Sequence, residues 1–254
     1  MKLRLHQFLS QTGRFASKRE AKEAVWAGEV TVNGSVVKDI AFQFNPNTKD
    51  VWYNEEQLKL PSSHRTFLLN KPMGVICSRL NSQEAELGKA SVFELFNDRV
   101  PEIDVARLMT AGRLDEDTTG LLIVTTDGEL AHRIASPLHH VSKTYAVGTA
   151  QPLTAEDRQR LSEGVEIELE TNGELELYTT QPAISVGTEN GMTLLTIAEG
   201  KKRQVRRMMA ALGHEVTSLM RIRIGGLNLW SFDLNEGEMV EVTQMDLEAM
   251  LFRE

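Results

Sequence analysis

Three carboxylates stand together in Gly112-Arg113-Leu114-Asp115-Glu116-Asp117-Thr118-Thr119-Gly120, immediately before the apolar run Leu121-Leu122-Ile123-Val124-Thr125. The run reads as a buried strand and ends at the turn signal Asp127-Gly128. The acids therefore lie on a loop anchored by a sheet, a common place for catalytic groups. Phosphoaspartate chemistry is excluded by the order of elements, since those enzymes place the acid pair after the apolar strand and here it comes before. A paired-carboxylate glycosidase is also a poor fit. It needs its two acids on opposite sides of the scissile bond, and Asp115 and Asp117 are two residues apart in one loop. Read alone, the string fits a solvated acidic turn better than a catalytic loop.

Other chemistry-bearing residues are sparse. Cys77 is the single cysteine, so an intramolecular disulfide or a cysteine metal cluster is impossible, and a small core residue is its simplest reading. The six histidines show no ligand spacing, and the His139-His140 pair falls in an expected loop. We expect no metal and no cofactor. Tyr145, in Lys143-Thr144-Tyr145-Ala146-Val147, fits a strand tyrosine with its ring in the core. Arg206, in Gln204-Val205-Arg206-Arg207-Met208, fits a solvated helix charge.

The formal charge of −8 argues against a general polyanion binder, but the charge is segregated. Residues 1–24 carry six Lys and Arg against two Glu, and residues 199–223 carry seven against two. Two cationic patches on an acidic body favour selective over loose binding of a polyanion. No apolar run approaches the length of a membrane span and the N-terminus is not signal-like, so a cytoplasmic protein without membrane attachment is expected.

Several elements must hold these residues. Leu5, Phe8 and Leu9 have helical spacing that Gly13 would end, and Ser17 with Glu20 makes an S-x-x-E capping box for a second helix stopping at Gly28. Glu29 to Val37 reads as two short strands around Asn33-Gly34. Lys18 and Arg19 would occupy the first turn of the second helix, where the macrodipole disfavours cations, and a phosphate bound there would reverse the sign. Residues 54–65 are polar and aperiodic and read as a linker, which divides the chain into a domain over 1–60 and a larger one over 61–254. Beyond it, short strands alternate with short helices: Phe67 to Leu69 and Leu121 to Thr125 extended, Asp127 capping a helix to Ala135, and Thr154 capping one that ends at Gly164. Asn172-Gly173 and Asn190-Gly191 punctuate further strands. Val205, Met208, Met209 and Leu212 mark an amphipathic helix over 203–212. The fold class is α+β, with a mixed, mainly antiparallel sheet in the larger domain.

Taken together, G-R-L-D-x-D-T-x-G-L-L at 112–122, Asn70-Lys71-Pro72-Met73-Gly74, Lys143-Thr144-Tyr145 and the segment from Glu199 to Met208 resemble RNA pseudouridine synthases of the branch that modifies ribosomal RNA, in order, from residue 66 to about 240. The N-terminal pattern R-L-x-x-F-L-S-x-x-G, S-x-R-E-A and V-x-V-N-G resembles the S4 RNA-binding module. By that resemblance Asp115 is the catalytic carboxylate and Asp117 a motif residue that is not the essential acid. Tyr145 stacks on uracil, Arg206 pairs with the catalytic carboxylate, and Arg113 fills the space left by the extruded nucleotide. Lys71 supports the floor of the site. RNA contacts are expected from Arg14, Lys18, Arg19 and Lys22 in the S4 module and from Lys201, Lys202 and Arg203 in the larger domain.

The reaction implied is isomerisation of uridine to its C-glycoside, in which C1′–N1 breaks, the ring turns over and C1′–C5 forms. Within the family, Asp117 to Gly120, Ser136 to His140 and Arg223 to Gly226 are most similar to members acting on small-subunit (16S) ribosomal RNA. The expected partner is therefore that RNA, free or in a partly assembled particle, bound by a monomer. The same reaction on 23S or transfer RNA, a non-catalytic RNA-binding assembly factor, and a glycosylase releasing free uracil are the competing readings.

Overall fold

A computed structural model of the chain describes residues 2–46, 48–60, 64–171, 173–188 and 190–251, excepting the side chains of Pro137 and Thr171. By contact the chain divides into two compact units. One holds residues 1–65 with 93–109 and 125–127, and the other holds 66–92, 110–124 and 128–254.

In the first unit, helix Leu5–Thr12 ends at Gly13 in the left-handed region (φ 71°), and helix Lys18–Ala27 ends at Gly28 (φ 81°). Ser17 caps the second helix by accepting from the Glu20 N–H at 3.1 Å. The return bond of the expected capping box is displaced by one residue, because the Glu20 carboxylate accepts from the Ala16 N–H at 2.7 Å. Strands Val30–Val32 and Ser35–Val36 pair around Asn33 and Gly34, both at positive φ, as a type I′ hairpin requires. Leu5, Phe8, Leu9, Val25, Val30, Phe44 and Val51 form the core of this unit.

The expected linker is partly a strand. Glu56–Leu58 pairs with Val51–Tyr53 through a turn at Asn54 (φ 53°), and Leu58 is buried. The polar composition hid this element because only one of its side chains faces the core. Residues 61–63 of that segment lie outside the described residues, as does Asn172 of the expected Asn172-Gly173 turn. Residues 93–109 group with the N-terminal unit: a Cβ at Gly13 would lie 2.4 Å from the Ile103 carbonyl oxygen, so glycine alone permits that approach.

The second unit is built on a mixed sheet with strand order Ile184–Gly187, Thr193–Ile197, Lys143–Thr149, Val216–Ile224, Thr119–Thr125, Thr66–Lys71 and Met239–Val242. Four neighbouring pairs are antiparallel, and Thr119–Thr125 runs parallel to Val216–Ile224. Helices Gly128–Ala135 and Gln244–Leu251 add Leu130, Ile134 and Leu247 to a cluster with Leu68, Leu121 and Ile123. Helices Ala155–Glu163 and Gln204–Ala211 add Leu161, Val205, Met208 and Met209 to a second cluster with Val147, Leu195 and Leu219. Thr154 caps its helix by accepting from the Asp157 N–H. The fold is α+β with a mainly antiparallel sheet.

Candidate active site

The acidic loop is held at both ends. On one side Lys71, fully buried, donates from Nζ to the carbonyls of Pro72 (2.9 Å), Thr118 (2.8 Å) and Glu116 (3.4 Å). Burial pulls the Lys71 ammonium below its ordinary pKa, while Cys77 and the loop acids raise it. On the other side Arg221, 2% exposed, donates from Nε to the Leu121 carbonyl at 2.8 Å and from Nη1 to the Arg113 carbonyl at 3.5 Å. The loop turns on itself through the Thr118 N–H to Asp115 carbonyl bond at 3.1 Å and enters its strand at Gly120. A Cβ at Gly120 would sit 2.3 Å from the Arg221 carbonyl oxygen, and its φ is 101°.

A cavity of about 500 Å³ opens over this loop, within the usual range for a small-molecule site. Asp115, Arg113 and Cys77 line it from the loop side, and Lys143, Tyr145 and Arg221 from the sheet. Lys201, Lys202 and Arg203, all exposed, stand at its rim. Asp115 is half-buried, and its carboxylate makes no hydrogen bond or ion pair among the described residues. The Tyr145 ring packs on the cluster of Leu195, Val205 and Leu219 while its exposed part faces the cavity. Cys77 is buried and accepts from the Leu114 N–H at 3.4 Å, and burial raises its thiol pKa. Lys143 donates to the Val141 carbonyl at 2.8 Å, and burial, helped by the nearby Arg221 charge, lowers its pKa to about 8.

One sequence expectation is corrected. Arg206 binds Asp117, not Asp115: its Nη2 donates to the Asp117 carbonyl at 2.7 Å and lies 3.2 Å from Oδ2. Arg203, left-handed at φ 54° just before helix Gln204–Ala211, reaches the same Oδ2 at 3.0 Å. The first turn of that helix faces the third acid of the loop, so the two arginines close on Asp117 and leave Asp115 open to the cavity.

The segment that carries the rim cations is fixed by Glu199. Its carboxylate, 6% exposed, accepts from the Tyr178 hydroxyl (2.6 Å), the Gln204 amide (2.6 Å) and the Gln181 N–H (2.9 Å). The bond to Glu199 holds the Tyr178 hydroxyl above its usual pKa, and Lys201 lies over the Tyr178 ring at 4.5 Å. The Gln204 side-chain oxygen in turn accepts from the Lys201 N–H at 2.9 Å.

The sequence reading assigned no role to Lys143, Arg221 or Glu199. Lys143 and Tyr145 are two apart on one strand, and so are Leu219, Arg221 and Arg223. That alternation was the available signal. Of the other expected RNA-contacting residues, Lys18 and Arg19 are exposed and Lys22 is half-buried. Arg19 pairs with Glu23 at 3.4 Å, and Arg14 is engaged with Glu56 at 2.8 Å and lies over the Tyr53 ring. Among the described residues no group of His, Cys, Asp and Glu could hold a metal ion, and no helix is long and apolar enough to cross a membrane.

Residues 65–211 match the RNA pseudouridylate synthase family and residues 3–49 the S4 domain. The chain is 34% identical to ribosomal small subunit pseudouridine synthase A of Escherichia coli K12, over 98% of this chain and all of that protein. It is 36% identical to the Vibrio vulnificus protein of the same name, over 98% of this chain and 99% of that one. It is also 36% identical to the uncharacterized RNA pseudouridine synthase YtzG of Bacillus subtilis, over 98% of each. A crystal structure of a pseudouridylate synthase superposes with a TM-score of 0.65 at 34% identity, covering 98% of this chain and 99% of that one. Nearly full-length similarity on both measures, over a chain whose acidic loop opens on a cavity, makes this protein a member of the RNA pseudouridylate synthase family, an RNA-modifying enzyme with an N-terminal S4 domain.

Proposed function

We propose that the protein isomerises one uridine of small-subunit ribosomal RNA, with Asp115 as the nucleophile on the ribose and Tyr145 as the platform for the detached ring. The observation that carries this reading is the cavity itself: Asp115, with its carboxylate unengaged, and the edge of Tyr145 line one space of about 500 Å³. A nucleotide entering it would have left its helix, at a cost of a few kcal/mol. Arg113, exposed at the mouth and free to move into the vacated stack, is suited to offset that cost. When C1′–N1 breaks, the electron pair stays on the ring. The ring turns over while stacked on Tyr145, C5 attacks C1′ and displaces the carboxylate, the C5 proton leaves to water, and N1 takes up a proton in its place. No electrons enter and no group is lost, so the chemistry calls for no cofactor.

Arg206 enters this scheme indirectly. By holding the carbonyl and carboxylate of Asp117, it fixes the loop two residues beyond the nucleophile. Lys201, Lys202 and Arg203 take the phosphates flanking the target, and Lys18, Arg19, Lys22 and Arg14 contact RNA from the S4 module. We place the division between the S4 and catalytic domains at residues 60 and 61, and the enzyme in the cytoplasm as a monomer. The small-subunit assignment rests on the relatives named ribosomal small subunit pseudouridine synthase A.

Incubation with RNA tritiated at uracil C5 tests the reaction, because isomerisation expels that label into water while a glycosylase releases free uracil and a bare binding factor releases nothing. Parallel incubations with small-subunit, large-subunit and transfer RNA, mapped by carbodiimide modification, test the substrate. A new stop confined to large-subunit RNA would reject the small-subunit assignment and leave the isomerase standing.

A further inference from the structure

Arg221 is a permanently charged group at the bottom of the cavity, yet its hydrogen bonding is incomplete. Nε and Nη1 are spent on the carbonyls of Leu121 and Arg113, while Nη2 is buried and has no partner. A buried guanidinium nitrogen left unmatched is expensive. The residue lines the cavity, and Nη2 has no partner to lose, so a small turn of the guanidinium would present it to an acceptor brought in by a ligand. Tyr145 is its direct partner across the antiparallel pair of strands Lys143–Thr149 and Val216–Ile224. Directly opposed residues share a face of the sheet with their Cβ atoms about 5 Å apart. A ring stacked on Tyr145 therefore has its edge within reach of the Arg221 fork. The division of cations in the site argues for the base over a phosphate: Lys201, Lys202 and Arg203 are exposed at the rim, where a backbone passes, and Arg221 is sealed at the floor.

We propose that Arg221 grips the flipped uracil, donating from Nη2 to one of its two carbonyl oxygens, O2 or O4. This rests on the isomerase reading above. When C1′–N1 breaks, the electron pair left on N1 spreads onto O2 and O4, so a charged donor at either oxygen binds the detached ring more tightly than the intact nucleoside. That is a differential interaction of the kind that accelerates a reaction. The same contact would keep the anion from leaving while it turns over, and C5 then uses the pair to form the new bond to C1′. Arginine keeps its proton throughout.

The test crosses a protein change with a substrate change. Once the target uridine is mapped, ligated RNAs carry 2-thiouridine or 4-thiouridine at that position, since sulfur is a much weaker acceptor than oxygen. Single-turnover conversion and RNA affinity are measured for the wild type and for Arg221→Lys, with Arg221→Gln as the second variant if the lysine does not fold. The wild type should be slowed by about tenfold to hundredfold on one of the two thio RNAs at unchanged affinity, the size of one charge-assisted hydrogen bond. The variant should already be slow on normal RNA, and the same sulfur should cost it less than about threefold. Neither sulfur slowing the wild type overturns the proposal, with no variant needed. A sulfur penalty of full size in the variant also overturns it and leaves Arg221 only its role of tying Arg113 to Leu121. Absence of pseudouridine in normal RNA with the wild type is a separate result, which rejects the proposed function instead.

Discussion

Replacing Lys143 with methionine should stabilise the protein at neutral pH. Burial, and secondarily the Arg221 charge, lowers the ammonium from 10.5 to about 8, so the folded protein holds this proton less tightly than the unfolded chain does. Between those two values the unfolded state binds more protons, and stability rises with pH through that window. Below about pH 8 both states are charged and the folded state carries the whole cost. At about 1.4 kcal/mol per pH unit a drop of that size corresponds to roughly 3.4 kcal/mol. Lys143 is only half-buried, and solvent screening reduces the figure to about 1–2 kcal/mol. Loss of the bond to the Val141 carbonyl offsets a part that does not vary with pH. Urea unfolding of wild type and Lys143→Met from pH 6.5 to 10 measures the difference directly. The variant's relative stability should be flat up to about pH 8 and then fall steadily toward pH 10. A difference that does not change across the range would refute the reasoning, because it would mean that Lys143 titrates alike in the folded and unfolded chain.

Asp115→Ala should abolish tritium release with the thermal transition and RNA affinity near wild type. Residual turnover above a few per cent would remove Asp115 from its role as nucleophile. Tyr145→Phe keeps the stacking surface and Tyr145→Leu does not, so the leucine should cost more, by about 1–3 kcal/mol of ring binding; equal losses would make the hydroxyl the important part. Asp117→Ala should lower the turnover number and depress it further when combined with Arg206→Met by far less than the product of the two single effects, since both remove one contact. Independent effects would show that Arg206 acts elsewhere. Gly120→Ala forces a side chain onto the Arg221 backbone at positive φ and should destabilise by about 2–4 kcal/mol in urea, and a loss below about 1 kcal/mol would show that the strands part easily. Replacing Lys18 and Arg19 together should flatten the salt slope of RNA binding by about one to two units and leave single-turnover conversion at saturating RNA intact.

The elements with a strong local signal were legible in the sequence. Ser17, Gly28, Thr154 and the Asn33-Gly34 turn act through the backbone of their own neighbours, and the run from Leu121 to Thr125 is apolar on both faces because the strand is covered on both. Glu56–Leu58 was missed, since its polar residues face away from the core and only pairing with Val51–Tyr53 reveals it. In the site, the motifs singled out Asp115 and Tyr145, and both line the cavity. The partner of Arg206 was not, because choosing between two acids on one loop depends on the angle at which helix Gln204–Ala211 meets it. Arg221 drew notice only as part of a basic patch. Its burial follows from the register that sets Gly120 and Tyr145 on either side of it, a long-range property invisible in a window of ten residues.

That register has a bearing on when the enzyme becomes active. Parallel strands cannot be joined by a tight hairpin, and the bonds that shape the acidic loop cross great sequence distances: Arg206 to Asp117 spans 89 positions and Arg221 to Leu121 spans 100. Contacts of that separation form late, after the entropy of closing the intervening chain has been met. A nascent chain that has emerged only as far as residue 200 already contains Asp115, Tyr145 and the whole N-terminal unit, but of the ties on the acidic loop only that of Lys71 is in place, while those of Arg206 and Arg221 are still to come. The S4 domain can thereby be complete before the acidic loop, whose last tie comes only when the strand that carries Arg221 has been added.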